Sequence, residues 1–177
     1  MLALQRSVIR PWRPEDRDSL AENADDLRIW RNLRDHFPHP YTRADAERWI
    51  AASAGQEPPS NFAIEVDGRA VGGIGLTVQS DVYRHSAEIG YWLGVSHWGR
   101  GIATEAVGAV SEWAFRNLDV VRLYAGVFAW NPASARVLEK AGYQLEARLR
   151  QAVTKAGETV DAYLYARLAE GQPGQGR

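Results

Sequence analysis

The stretch Glu88-Ile89-Gly90-Tyr91-Trp92-Leu93-Gly94-Val95-Ser96-His97-Trp98-Gly99-Arg100-Gly101-Ile102-Ala103-Thr104-Glu105-Ala106 decides the fold, because it reads as a buried strand, a tight glycine turn and the start of an amphipathic helix. Gly99 and Gly101 let the backbone turn sharply and approach a ligand, while the first free amides of the helix point outward with the positive end of its dipole. That order predicts a site for a phosphate that needs no basic side chain, although glycines also occupy such turns for steric reasons alone. No Gly here is followed at the required distance by Gly-Lys-Ser or Gly-Lys-Thr, and the dinucleotide fingerprint is incomplete, so the usual nucleotide loops fit poorly.

Downstream, Ala103, Ala106, Val107, Val110, Trp113 and Ala114 recur at helical spacing, with Glu105, Glu112 and Arg116 on other faces, which predicts a helix covering a sheet. Arg122–Val127 is rich in branched and aromatic residues and reads as the next strand; Asn131-Pro132-Ala133-Ser134 then opens a helix that ends at Gly142. Gln144–Val153 and Glu158–Leu168, joined around Lys155-Ala156-Gly157, form a final hairpin. The Gly/Pro/Gln-rich residues 171–177 are expected to be a disordered tail, which leaves 1–170 as a single domain.

Upstream of the central strand His85–Leu93, the period is two: Phe62, Ile64 and Val66 lie on one side, Asp67-Gly68 turns the chain, and Ala70–Val78 returns. Gly72, Gly73 and Gly75 predict a bend or close packing in that second strand. Leu4–Arg10, stopped by Pro11, reads as a first edge strand. Helix starts follow at Pro14-Glu15-Asp16, at Asp25–Leu33 with Leu27, Trp30 and Leu33 as packing residues, and after the cap Thr42, with Ala46, Trp49 and Ile50 on one face. His36 and His39 lie in the proline-containing loop Asp35–Tyr41 without a further nearby ligand, so they read as surface residues and no metal is expected.

A chain of 177 residues suits one full core and is short for two. With 21 basic and 22 acidic residues the net charge is -1, which supplies no electrostatic reason to bind nucleic acid or a membrane surface. The absence of cysteine excludes a disulfide framework, a thiolate nucleophile and a Cys-based zinc site. Met1–Arg13 is too rich in Arg and too short in apolar run for a secretory signal, and no later segment approaches the ~20 apolar residues of a membrane span. The expectation is a soluble cytoplasmic monomer or homodimer.

His97-Trp98-Gly99-Arg100-Gly101-Ile102-Ala103-Thr104-Glu105-Ala106 and, later, Asn131-Pro132-Ala133-Ser134-Ala135-Arg136-Val137-Leu138-Glu139-Lys140-Ala141-Gly142-Tyr143 together resemble the GNAT N-acetyltransferases. That family's acetyl-CoA loop carries Gln or Arg, two residues, Gly, one residue, then Gly or Ala; Gly101 and Ala103 fill the last two places. Trp98 departs from Gln or Arg but matches the subfamily that resembles the ribosomal-protein-alanine N-acetyltransferases of the RimJ/RimL type. The resemblance implies an α/β (α+β) fold with a mixed, mostly antiparallel sheet splayed between two central strands and flanked by helices. It implies acetyl-CoA as co-substrate, with pantetheine on the main chain of Trp92, Leu93 and Gly94, the pyrophosphate at Trp98, Gly99, Arg100, Gly101, Ile102, Ala103 and Thr104, and further contacts from Asn131 and Ser134. The early helical region would border the acceptor pocket.

A thioester is already activated, so transfer to an amine needs positioning, removal of a proton from the ammonium, polarisation of the carbonyl and protonation of the leaving thiolate. The resemblance points to Glu88 as base, with a salt-bridged strand-end acid as the bland alternative, and His85 as the substitute base. Many family members carry an acidic Tyr seven residues after the Asn, but here that place is Leu138. Ser134 matches the subfamily's Ser instead, or else caps its helix; Asn131 holds pantetheine, caps the helix, or does both. Tyr143 and Tyr163 rank below as acids and read as core aromatics. The acceptor is a protein N-terminal amine or a small-molecule amine, and a non-catalytic acyl-CoA-binding sensor is the competing class.

Overall fold

Eight extended segments pair into one sheet in the computed structural model, which describes residues 1–56 and 58–170; the tail expected at 171–177 lies outside them. The strands are β1 (Leu2–Ala3), β2 (Val8–Pro11), β3 (Asn61–Val66), β4 (Arg69–Val78), β5 (Ser86–Leu93), β6 (Arg122–Phe128), β7 (Gln144–Lys155) and β8 (Glu158–Leu168), in the spatial order β1-β2-β3-β4-β5-β6-β8-β7. Every neighbouring pair is antiparallel except β5 and β6, which the helix α4 (Ile102–Asn117) connects as a crossover. The other helices are α1 (Arg17–Ala24), α2 (Leu27–Trp30), α3 (Arg43–Ser53) and α5 (Pro132–Lys140). This is the mixed, mostly antiparallel sheet expected from the resemblance.

Both faces of the sheet are covered, which is why β3 buries Phe62, Ile64 and Val66 on one side and Ala63 on the other. On the first face α4 lays down Ile102, Ala106, Val107 and Val110 against Ile64, Ile89 and Leu123, and fully buried Leu138 brings α5 into the same core. On the second face α1 and α3 bury Leu20, Ala24, Ala46 and Ile50 with Trp12 and Tyr41. Thr42 caps α3 as read from the sequence, its hydroxyl accepting from the Asp45 amide at 3.2 Å. Close packing accounts for the glycines of β4: a Cβ on Gly73 would lie 2.7 Å from the indole nitrogen of Trp92, its cross-strand partner, and 3.2 Å from Trp12.

Three expectations need correction. The single N-terminal strand is two short ones, because Leu4 and Ser7 close a turn between them (Leu4 amide to Ser7 carbonyl, 2.9 Å). The second helix shrinks to the four residues of α2, and Leu27 is 57% exposed: Asp26 caps that helix so that its first residue faces outward. Trp49 is 38% exposed, standing at the edge of a cleft while Ala46 and Ile50 of the same helix enter the core.

Arg10 is a large charged side chain sealed in the fold, 2% exposed on β2. Its guanidinium donates to both carboxylate oxygens of Asp16 at 2.6 and 2.8 Å, to Glu65 on β3 and to the Pro11 carbonyl at 3.1 Å. Asp16 also accepts from the Arg13 amide at 2.8 Å, so one carboxylate ties β2 to the turn that enters α1. Replacing Asp16 by Ala leaves a buried guanidinium half satisfied and is expected to cost about 3–5 kcal/mol in urea unfolding. A cost below about 1 kcal/mol would mean that Glu65 alone satisfies Arg10.

Candidate active site

The parallel pairing of β5 with β6 lasts for three residues, Ser86 with Arg122, Ala87 with Leu123 and Glu88 with Tyr124. Beyond that point β5 stays with β4 and β6 stays with β8, so the two strands diverge and one backbone edge of Ile89–Leu93 is left without a strand partner. The divergence opens a cleft of about 1520 Å³ that runs from the helix–turn region after α2 to the N-termini of α4 and α5. Gly90 and Gly126 line it on either side, and a Cβ on either would find no atom within 4 Å. The opening is therefore kept free of side chains where the strands part.

The strand's two-residue period assigns each side chain to a face. Ile89, Tyr91 and Leu93 pack with the α4–α5 core, whereas Trp92 packs with Phe37 at 5.8 Å on the α1–α3 side, the side that Glu88 and Gly90 share by alternation. Glu88 is half-buried, lines the cleft and pairs with Arg34 from the turn after α2. His85 is held away from it: its Nδ1 sits 3.1 Å from the Asp119 carbonyl, and it does not line the cleft.

On the opposite face, the Tyr91 hydroxyl lies 2.8 Å from Ser134 Oγ and 3.2 Å from the Ser134 carbonyl. Burial holds the Tyr91 phenol well above its ordinary range, with the Ser134 hydrogen bond pulling the other way. The phenol therefore keeps its proton at neutral pH, and when it donates to Ser134 Oγ the serine hydrogen is free to point into the cleft. Asn131 caps α5, its side chain accepting from the Ser134 amide at 3.2 Å, so Ser134 is released from the capping role. Tyr143 lies in the core on Ser111 (2.7 Å between hydroxyls), its phenol pushed up to about 12 by burial, and Tyr163 packs outside the cleft.

At the start of α4, Gly99 and Gly101 adopt φ values of 72° and 78°, and Gly101 is the N-cap residue. The left-handed region is one that only glycine occupies without strain, so the turn delivers the free amides of a 16-residue helix to the cleft. Trp98 explains its own place in the loop, because its indole donates to the Leu93 carbonyl at 2.7 Å and ties the turn back to the end of β5. Trp92, Leu93, Trp98, Gly99, Gly101, Ile102, Ala103, Thr104, Asn131 and Ser134 all line the cleft. Arg100 is exposed outside that lining, and Gly94 is buried behind it with its amide donated to Val71 at 2.7 Å. Glycine loop, free strand edge and cleft together fit an extended thioester carrying a pyrophosphate.

The contacts of the segment after α2 are what the sequence does not show. Trp130 donates its indole hydrogen to Asn32 at 3.1 Å, Arg31 lies over the Trp130 ring at 5.1 Å, and Lys155 from the tip of β7 donates to Asp35 at 2.8 Å. With the Arg34–Glu88 pair, these contacts strap residues 31–35 across the α2 end of the cleft. The usable signal was Arg28, Arg31 and Arg34 at three-residue spacing; Tyr91 was legible from alternation with Ile89. Among the described residues, no group of three His, Cys, Asp or Glu side chains is placed to hold a metal ion.

The sequence matches the Acetyltransferase (GNAT) domain family over residues 6–144. It is 27% identical over 173 residues to the uncharacterized N-acetyltransferase p20 of Bacillus licheniformis, covering 94% of this chain and 95% of that protein. Over 87 residues it is 36% identical to the ribosomal-protein-serine acetyltransferase of Escherichia coli, about half of each chain (49% and 49%). Among solved structures, Mycobacterium smegmatis RimJ in complex with CoA-disulfide superposes with a TM-score of 0.81 at 26% identity, over 93% of this chain and 83% of that one.

Gly101→Val places a branched side chain at φ 78°, where it both strains the turn and blocks approach to the helix amides. Losing one charge-assisted amide contact, about 1.5–3 kcal/mol, corresponds to CoA binding weakened roughly 10- to 100-fold. Calorimetry on the folded variant checks it; unchanged affinity would remove the phosphate from this loop.

Proposed function

The chain belongs to the GNAT acetyltransferases, and from that we propose that it transfers the acetyl group of acetyl-CoA directly to a primary amine within a ternary complex, the acceptor being a protein N-terminal amine. The observation that carries this reading is the short β5–β6 pairing, which opens the sheet so that thioester and amine meet from opposite faces. The acceptor class rests on the His97–Ala106 motif and on similarity to the ribosomal-protein-serine acetyltransferase.

In this reading the thioester lies along the free edge of β5 with its pyrophosphate at the amides after Gly101, and no covalent enzyme intermediate is needed. The amine enters from the α1–α3 side. Its ammonium displaces Arg34 from Glu88, which takes a proton directly or through one water. The neutral amine attacks the acetyl carbonyl; the C–N bond forms as the C–S bond breaks. Ser134, reached from the α4–α5 side, donates its proton to the departing thiolate and regains one from water in the cleft, to which the new amide nitrogen sheds its second proton; Tyr91 keeps its own proton and positions that hydroxyl.

Two substitutions separate the roles, with a mass-spectrometric screen of peptides and small amines first identifying the acceptor. Glu88→Gln keeps the shape and removes the base, so turnover should fall by about 10²–10⁴ at neutral pH. It should recover partly as pH rises, because more acceptor is then already neutral. Wild-type turnover and pH dependence with chemistry rate-limiting would remove Glu88 from the reaction. Ser134→Ala should lower kcat while leaving the KM for acetyl-CoA nearly unchanged, the signature of an interaction made in the transition state; a rise in KM alone would make Ser134 a binding contact.

A further inference from the structure

The acceptor end of the cleft is unevenly charged. Its three carboxylates are all engaged: Glu88 by Arg34, Asp45 by Arg48, and Asp35 by Lys155. Arg28 is bound to Asp26 at 2.6 Å. Arg31 lines the same end and forms no ion pair among the described residues; it lies instead on the face of Trp130, whose indole is fixed by Asn32. A cation–π contact of this kind leaves the guanidinium N–H groups free to receive a carboxylate in two parallel hydrogen bonds.

The Arg34–Glu88 pair sets a second condition. An ammonium that reaches Glu88 takes Arg34's place, and the released guanidinium is then left three residues from Arg31 with no anion. A polyamine would add a further positive charge to that cluster. An amine with its own carboxylate nearby replaces both halves of the pair in one step, ammonium on Glu88 and carboxylate on the arginines. Resting on the acetyl-transfer reading above, we propose that the acceptor is an amine carrying a carboxylate close to its ammonium, and that Arg31 and Arg34 select it by binding that carboxylate. Arg34 is 65% exposed, so the selection weakens as salt is raised.

The test measures kcat/KM with acetyl-CoA for matched pairs: an α-amino acid against its amide, a peptide beginning with Asp or Glu against the same peptide beginning with Asn or Gln, and spermidine as the polycation. At low salt the acidic member of a pair should be preferred by about tenfold, the contribution of one ion pair. The free amino acid and the acidic peptide tell which source supplies the carboxylate. Arg31→Gln and Arg34→Gln should bring the preference toward one by raising the KM of the acidic acceptor, with the KM for acetyl-CoA unmoved. Equal rates within every pair, or preference for spermidine, would overturn this selection while leaving acetyl transfer intact. Acetylation of no member by protein that binds acetyl-CoA in calorimetry would overturn the acetyl-transfer reading and this one with it.

Discussion

Three residue pairs hold β5 to β6, and the cleft exists because there are no more. A parallel pair needs a crossover, and here α4 makes that connection and begins after the glycine turn that follows β5. The same divergence that leaves Ile89–Leu93 without a strand partner thus brings a helix N-terminus to the far end of the opening. Unpaired backbone is costly when sealed from water, and an open cleft lets solvent or a ligand satisfy it.

The rest of the molecule keeps that divergence rigid. Both faces of the sheet are packed, and the N-terminal turn is fastened to α4, where Glu105 accepts from the amides of Gln5 and Arg6 at 2.9 and 3.1 Å. The sealed Arg10–Asp16–Glu65 network anchors the entry to α1, and α1 with α3 forms the second face, against which Trp92 of β5 packs. Geometry at the opening is therefore set by two separate cores meeting across one strand.

Local features of this arrangement were legible in the sequence. Gly99, Gly101, the strand before them and the helix after them are neighbours in the chain, so their spacing alone defines the turn. Period two along β5 likewise separates Glu88 and Trp92 from Tyr91. What could not be read depends on distant partners: Arg34 and Glu88 are 54 residues apart, and Asp35 and Lys155 are 120 apart. Apolar spacing makes Leu27, Trp30 and Leu33 a packing face, yet Leu27 faces solvent because the interleaved arginines make the segment a cleft rim instead of a core face. Asn131 caps α5 as its sequence position allows, accepting from the Ser134 amide.

Trp130 has a second consequence beyond the contacts it makes. Four of the chain's seven tryptophans, Trp49, Trp92, Trp98 and Trp130, line the cleft, and Arg31 lies on one of them. Indole emission responds to the charge and wetness around the ring, so the protein carries a fluorescent probe at both ends of its opening. Trp98 stands at the helix N-terminus and Trp130 at the strap, so filling either end shifts the chain's combined indole emission without any attached label.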